Sequence, residues 1–259
     1  MVCLRPSGKS QILPPQVRKH PTISTGILEL DHVLLGGFHK DSLIHFYGGP
    51  GSGKTTFTMQ VVKNIMQKGW KAIWVDCNGA FSIPKLQRIL KDDLLLNKFI
   101  MVRPQSFHHQ TEIIQQIKLY LEHVAVVVVD PITHFYRAER FQEGSQGFFQ
   151  ELIETQLGTL IGIAHLQKIP VIVINYSTIN HEKRLVPLVA TGFQRLEGYR
   201  FRFKNSQSLQ EGDDFSKKEL LIESAPDTFS QNRAFKFEIT QEGIEEFKQV
   251  NIEEAGKSL

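Results

Sequence analysis

Apolar runs of strand length alternate with amphipathic stretches of helical length through the first two thirds of the chain. Five runs have the length and composition of strands: Leu43–Tyr47, Lys71–Asp76, Phe99–Val102, Val124–Asp130 and Val171–Asn175. Two of them, Val124–Asp130 and Val171–Asn175, are apolar without alternation until their last residue, as expected for strands that are covered on both faces. This succession of strands and helices predicts a mainly parallel sheet with crossover helices.

Two stretches between these runs carry apolar side chains at helical spacing. In the first they are Ile113, Ile114, Ile117, Tyr120 and Leu121, and in the second Leu152, Ile153, Leu157, Leu160, Ile161 and Ala164. We interpret both stripes as the core-facing sides of helices.

The character of the chain changes after Asn175. Tyr199–Lys204, Glu219–Glu223 and Ala234–Ile239 alternate as strands do, with a hydrophilic loop at 205–218, and we expect a short helix near Gly243–Val250. The overall prediction is an α/β fold whose parallel sheet, flanked by helices, carries a C-terminal antiparallel extension. We divide the chain into a flexible basic arm (1–20), one core (21–250) and a tail (251–259).

Composition narrows the class of protein. The 259 residues are 41% hydrophobic and 22% charged, with a net charge of +3, which permits a nucleic-acid partner without requiring one. No apolar run is long enough to span a bilayer, and residues 1–20 lack the apolar centre of a signal peptide, so we expect a cytoplasmic protein. Cys3 and Cys77 form no C-x-x-C motif, so neither a disulfide framework nor a zinc site is indicated.

The strongest chemical signal is a complete G-x-x-x-x-G-K-[ST] loop between the first strand and a helical pattern. Its residues are Gly48, Gly49, Pro50, Gly51, Ser52, Gly53, Lys54 and Thr55, followed by Thr56. Such loops bind nucleoside triphosphates, because glycines let backbone N–H groups surround the phosphates. We predict that residues 48–56 bind ATP, that Lys54 reaches the β- and γ-phosphates, and that the Thr55 hydroxyl ligates Mg²⁺.

A second half of the site is indicated where a hydrophobic strand ends in a carboxylate. Asp130 follows four valines, so it would lie at the carboxyl end of its strand and hold Mg²⁺ through water beside Thr55. The chain has no N-K-x-D motif for guanine and no evident Arg-rich lid of the nucleoside-kinase type.

Five stretches besides this loop occur in the order found in the RecA/RadA recombinase core. They are Ser24–Gly37, Val75–Phe81, Asp130–Arg137, Val171–Asn175 and Arg233–Ile244. Between about Pro21 and Phe247 the chain resembles this family, most of all its archaeal RadB-like RadA paralogs. The resemblance implies a RecA-like P-loop ATPase core, with KaiC-like ATPases as an alternative within the same fold.

The chain departs from the family pattern at positions that matter for catalysis. Asn78 lies where the family has the Glu that orients the attacking water, so general-base help of roughly 10²- to 10⁴-fold is missing and slow hydrolysis is expected. Asp76 is an alternative base, although strand alternation should direct it elsewhere. Tyr176 replaces the Gln that senses the γ-phosphate, and Val189-Ala190 replace two glycines and restrict the second DNA loop. Residues 1–30 contain no Phe, hence no F-x-x-A polymerisation motif.

The resemblance also implies DNA-contacting loops after Tyr136 and after Asn175. Cations in or near them are our candidate DNA contacts: Arg137, Arg140, Lys183, Arg184, Arg200, Arg202 and Lys204. The last three alternate with Phe201 and Phe203, which we interpret as core residues. A solvated sheet face and contact with the ATP of a neighbouring subunit are the alternatives for the three cations.

Together these features predict an ATP-binding paralog that assists homologous recombination and DNA repair. We expect it to bind single-stranded DNA, a RecA/RadA-type recombinase or both, as a weak ATPase that forms homo- or hetero-oligomers. Two alternatives stay open, a KaiC-like regulatory ATPase and a nucleotide-sensing interaction module without turnover.

Overall fold

The structure, a computed structural model, describes residues 21–139, 146–189, 192–193, 198–206, 216–227 and 230–250. Its strands are β1 (Thr22–Ile23), β2 (Phe38–His39), β3 (Leu43–Gly48), β4 (Lys71–Asp76), β5 (Phe99–Val102), β6 (Val124–Asp130), β7 (Val171–Ile179), β8 (Leu185–Pro187), β9 (Gly198–Asn205), β10 (Lys217–Ser224), β11 (Arg233–Thr240) and β12 (Gly243–Val250). Its α-helices are α1 (Leu28–Val33), α2 (Lys54–Gln67), α3 (Ile83–Leu90), α4 (Phe107–Gln116), α5 (His134–Glu139) and α6 (Gln146–Gln167), and Asp93–Lys98 and Ile117–Tyr120 are 3₁₀-helices.

One large sheet organises the molecule in the order β12-β11-β10-β9-β3-β7-β6-β4-β5, with β8 beside β7. Strands β9, β3, β7, β6, β4 and β5 are parallel, and β10, β11 and β12 continue the sheet antiparallel. The predicted fold class is therefore confirmed. One detail differs from the prediction, which placed β9 in the antiparallel extension. Strand β9 pairs antiparallel with β10 but parallel with β3.

Two apolar layers cover the sheet. Phe57 and Val62 of α2 pack with Phe46 and Phe203 on one face, while Leu157 of α6 packs against the opposite face. The stripe predicted on α6 is confirmed, since Ile153, Leu157, Leu160 and Ala164 are buried. The first stripe is confirmed only in part: Ile114 and Ile117 are buried, but α4 ends at Gln116 and Tyr120, in the following 3₁₀-helix, is 62% exposed. Phe201 and Phe203 are fully buried, as the interpretation of both as core residues requires.

The helix predicted near Gly243–Val250 is wrong, because this segment is strand β12 and pairs with β11. Phe247 explains the difference. The centre of its ring lies 4.8 Å from that of Phe235 and 5.8 Å from that of Phe237, and both pairs are stacked. As a strand, the segment buries this aromatic side chain against the sheet, whereas an isolated acidic helix would leave it without a partner. A register irregularity between Lys236 and Glu238 accommodates the pairing.

Strand β7 runs four residues beyond its predicted end at Asn175. Ser177, Thr178 and Ile179 pair antiparallel with β8, which provides the hydrogen bonds that this more polar segment needs. The predicted arm (1–20) and tail (251–259) lie outside the described residues. Among the residues that the structure describes, no helix is both long enough and apolar enough to cross a membrane.

Candidate nucleotide-binding site

The glycine-rich loop connects the carboxyl end of β3 to the first turn of α2. At Gly48 a Cβ atom would lie 2.2 Å from the carbonyl oxygen of Phe203 on β9, so only glycine fits this close approach. Gly53 precedes the helix with φ of 95°, and a Cβ there would meet Ile239 Cδ1 at 2.5 Å. The glycines of the motif therefore satisfy both a steric limit and a left-handed backbone.

Lys54 is buried at the bottom of this loop. Its Nζ donates to the carbonyl oxygens of Gly48 and Gly49, each at 2.8 Å, and to Ser52 Oγ at 3.1 Å. Burial lowers the pKa of Lys54 to about 8, against a smaller opposing effect of Asp130. A desolvated ammonium group surrounded by backbone is arranged to gain from an anionic ligand.

Thr55 and Asp130, the two residues predicted to hold a metal, lie together. Thr55 Oγ1 donates to Asp130 Oδ2 at 2.8 Å, from the first turn of α2 to the end of β6. Burial raises the pKa of Asp130 to about 6, while the Thr55 hydrogen bond and the Lys54 charge act in the opposite direction. A hydroxyl and a carboxylate at this distance are oxygen donors of the kind that Mg²⁺ takes.

A cavity of about 290 Å³ lies over the loop and contains two lysines that the sequence analysis missed. Lys85, on α3, donates from Nζ to Thr56 Oγ1 at 2.6 Å. Lys218, on β10, is buried and donates to Asn205 Oδ1 at 2.9 Å. Burial is the largest cause of a lowered pKa at Lys85, followed by the charges of Arg88 and Lys218. Together with Lys54 these lysines make the cavity strongly cationic.

A signal for Lys218 exists in the sequence. It shares its face of β10 with Leu220 and Ile222, both buried, so it is a charged residue at a position where the alternation expects an apolar one. Lys85 gives no comparable signal, because only the packing of α3 against α2 brings it to Thr56.

Asp76, the alternative base, is held in an ion pair. Arg103 donates to Asp76 Oδ2 from Nη2 at 2.8 Å and from Nε at 3.1 Å, and the Asp76 side chain is only 2% exposed. Arg103 was not identified from the sequence. Both of its hydrogen bonds go to Oδ2, so Arg103 holds the carboxylate in place.

The two departures from the family pattern are in contact. Asn78 Nδ2 donates to the Tyr176 hydroxyl at 3.5 Å, and Asn78 Oδ1 accepts from the Ala80 amide at 3.0 Å. The guanidinium of Arg137 lies 5.4 Å from the centre of the Tyr176 ring, which is a cation–π distance. A continuous chain of side chains thus runs from the end of β4 to helix α5.

Asn175 joins the segments that follow β6 and β8. Its Oδ1 accepts from Thr133 Oγ1 at 2.6 Å, and its Nδ2 donates to the Leu188 carbonyl at 2.8 Å. Val189, where the family has a glycine, has a left-handed φ of 57°, which strains a β-branched residue. Ala190 lies outside the described residues.

The candidate DNA-contacting cations fall into two groups. Arg137, Lys183 and Arg184 are exposed, with Arg184 3.2 Å from Glu182. By contrast, Arg200 donates to the Phe193 carbonyl at 2.8 Å.

The other two strand cations are partly buried. Arg202 forms an ion pair with Glu223 at 3.2 Å and is 14% exposed. Partial burial lowers the pKa of Lys204, with the Arg202 charge adding to it. Arg140 lies outside the described residues.

Comparison with protein-family models matches residues 17–193, more than half of the chain, to the Rad51 family. Among curated relatives, the DNA repair and recombination protein RadB of Thermococcus kodakarensis is 36% identical over 184 residues. The match covers 69% of this chain and 79% of the length of that protein. RadB of Methanobrevibacter smithii is 26% identical over 223 residues, covering 83% of this chain and 92% of its own. The crystal structure of the RadB recombinase superimposes with a TM-score of 0.71 at 29% identity, covering 88% of this chain and all of that one.

Proposed function

Because the chain belongs to the Rad51 family, we propose that it is a RadB-like ATP-binding protein that assists DNA repair and recombination. The observation that carries the proposal is the cluster of Lys54, Thr55 and Asp130 at the carboxyl edge of the sheet. ATP occupies the loop 48–56, with Lys54 on the β- and γ-phosphates. Lys85 and Lys218 add positive charge to the same cavity.

Thr55 and Asp130 hold Mg²⁺, directly and through water respectively. The ion neutralises phosphate charge when it is bound. Asp130 supplies its full charge only above its raised pKa of about 6. Metal-assisted ATP binding is therefore strongest at neutral pH.

Hydrolysis is slow in this proposal because the residues near the loop that could activate water are unsuited to it. An amide such as Asn78 hydrogen-bonds water but takes no proton from it. Asp76, two residues earlier at the end of β4, is paired with Arg103. ATP occupancy, rather than turnover, then sets the state of the protein.

Single-stranded DNA binds at the exposed cations Arg137, Lys183 and Arg184, while Arg200, Arg202 and Lys204 mainly shape the sheet. Support comes from the engagement of Arg200 by the Phe193 carbonyl and of Arg202 by Glu223. Phosphate contacts of this kind give salt-dependent, sequence-independent affinity. A RecA/RadA-type recombinase is the protein partner that we propose.

Tyr176 links the nucleotide site to the DNA-binding cations. Its hydroxyl contacts Asn78, and its ring lies under Arg137. We propose that bound ATP displaces Asn78, which would change the support of Arg137 and with it the affinity for DNA.

Two substitutions separate these roles. Tyr176→Ala should lower the affinity for single-stranded DNA by roughly two- to fivefold, the value of an exposed cation–π contact. Tyr176→Phe keeps the ring and should retain that affinity while losing its dependence on ATP. Fluorescence anisotropy of a labelled oligonucleotide, with and without ATP, measures both. If the Phe variant responds to ATP as the native protein does, the link is wrong.

One observation favours a second candidate, a nucleotide-sensing interaction module without turnover or DNA binding. Asn78 and Tyr176, the two altered positions, contact each other instead of presenting a carboxylate and an amide to the nucleotide. Retained ATP binding with no measurable DNA affinity would favour this module or a KaiC-like regulatory ATPase.

A further inference from the structure

A second cavity, of about 440 Å³, opens at the amino-terminal ends of β4, β6 and β7. The phosphate-binding loop follows the carboxyl end of β3, which is parallel to these strands, so the two cavities lie at opposite ends of the sheet. None of the residues assigned to ATP or DNA above lines this second cavity.

Trp70 is the most unusual residue of the lining. It precedes β4 and is 48% exposed, whereas Trp74, four residues further along, is fully buried. Ile65 and Ile169 are buried in the lining beside it. The lining thus combines two buried isoleucines with a half-exposed indole, a surface on which a flat aromatic ligand can pack.

Cations surround the indole. Lys40, Lys68 and Lys168 belong to the lining, as does His123. Asp41 lies 3.3 Å from Lys168, and within the described parts of the chain no carboxylate pairs with Lys40 or Lys68. The lining therefore suits a ligand that is anionic as well as aromatic.

Local negative charge offsets the lysines only in part. Helices α2 and α6 both end at this cavity, and each C-terminus contributes roughly half a negative charge. Glu122 lies 3.6 Å from His123 but is 89% exposed and does not line the cavity. Lys40 and Lys68, which have no carboxylate partner among the residues that the structure describes, keep the rim cationic.

We propose that this cavity is a second site for single-stranded nucleic acid, in which a base stacks on Trp70 and the adjoining phosphates contact Lys40, Lys68 and Lys168. Nonspecific single-strand binders combine these elements, because every base has a π-face and every nucleotide a phosphate. An acidic peptide would satisfy the lysines but would leave the indole without a stacking partner. This site goes beyond the proposed function, since it needs neither ATP nor the proposed DNA contacts Arg137, Lys183 and Arg184.

Intrinsic fluorescence tests the site without a label. The protein has two tryptophans, and only Trp70 is accessible, so a short oligothymidylate added without ATP should quench part of the emission. Arg137→Ala should leave this quenching unchanged, which separates the site from the proposed function. Absence of quenching would overturn the proposal. Equal quenching by poly-glutamate at matched charge would also overturn it and would favour an acidic partner.

Variants measured by anisotropy of a labelled oligothymidylate complete the test, with Arg137→Ala as the background. Trp70→Ala should weaken binding roughly tenfold, within the range for one stacked base, and Trp70→Phe should recover most of it. The double variant Lys68→Glu and Lys168→Glu should weaken binding further and reduce its salt dependence, whereas Lys248→Glu, on the distant strand β12, should not. If Trp70→Ala binds as tightly as the background protein, the proposal is wrong.

Discussion

Replacing Lys54 with Met is expected to stabilise the nucleotide-free protein while abolishing its affinity for ATP. The reason is that the folded chain buries the Lys54 ammonium group before any phosphate is present to compensate it. Met has a similar length and no charge, so it removes the desolvation penalty and keeps most of the packing.

The size of the effect follows from the pKa. Burial lowers the pKa of Lys54 from 10.5 to about 8, and each pKa unit is worth about 1.4 kcal/mol, so the buried charge costs about 3 kcal/mol at pH 7. Losing the hydrogen bonds to Gly48, Gly49 and Ser52 offsets part of this gain, at about 0.7 kcal/mol each or about 2 kcal/mol together, because water replaces them in part. A net gain of about 1 kcal/mol corresponds to a rise of about 2–4 °C in the melting temperature.

The dependence on pH identifies the cause. The unfolded chain binds the Lys54 proton more tightly than the folded chain, so the penalty is complete below pH 8 and disappears as the pH rises towards 10.5. The difference in melting temperature between Lys54→Met and the native protein should therefore shrink from pH 7 to pH 10. Differential scanning fluorimetry in a buffer without phosphate or sulfate measures it, with the exposed Lys118→Met as the control.

Adding ATP and Mg²⁺ should raise the melting temperature of the native protein and not that of Lys54→Met. A variant that melts several degrees below the native protein at pH 7, or a difference that does not change with pH, would refute the reasoning.

Three further predictions concern the binding and hydrolysis of ATP. Asn78→Glu should accelerate ATP hydrolysis by at most roughly 10²- to 10⁴-fold, because it restores a carboxylate that can act as general base. The rate of phosphate release measures this. An unchanged rate would mean that Asn78 does not limit turnover. The gain in ATP affinity on adding Mg²⁺ should decrease as the pH falls through about 6, because Asp130 is then protonated, and it should be absent at every pH in Asp130→Asn. Titration calorimetry at pH 5.5 and 7.5 tests this. A gain that survives in the Asn variant would argue against a role of Asp130 in holding Mg²⁺. Lys85→Ala and Lys218→Ala should each weaken ATP binding and reduce its sensitivity to salt, whereas Lys118→Ala should not; nucleotide affinities equal to that of the native protein would show that these lysines do not act on ATP.

The parallel part of the fold was predictable because its strands are continuous aliphatic runs. Such runs need cover on both faces, and that leaves few alternatives to a central strand, as at Val124–Asp130. The meeting of Thr55 and Asp130 followed from the same logic, since the carboxyl ends of parallel strands share one edge of the sheet.

The C-terminal segment was not predictable from its own residues. Local propensity at 243–250 favours a helix, and the burial of Phe247 against Phe235 and Phe237 overrides it. The partners Lys85 and Arg103 were missed for a related reason. Tertiary packing brings Lys85 to Thr56, 29 residues away, and Arg103 to Asp76, 27 residues away. No rule of sequence spacing links residues so far apart.

In our proposal ATP occupancy, and not rapid hydrolysis, governs the binding of DNA. This claim is tested most directly by measuring ATP turnover and the affinity for single-stranded DNA, with and without ATP, on one preparation of the native protein. We predict that ATP changes the DNA affinity while turnover stays far below the order of 10 s⁻¹ of a typical enzyme. Turnover near that rate, or a DNA affinity that is the same with and without ATP, would contradict the account.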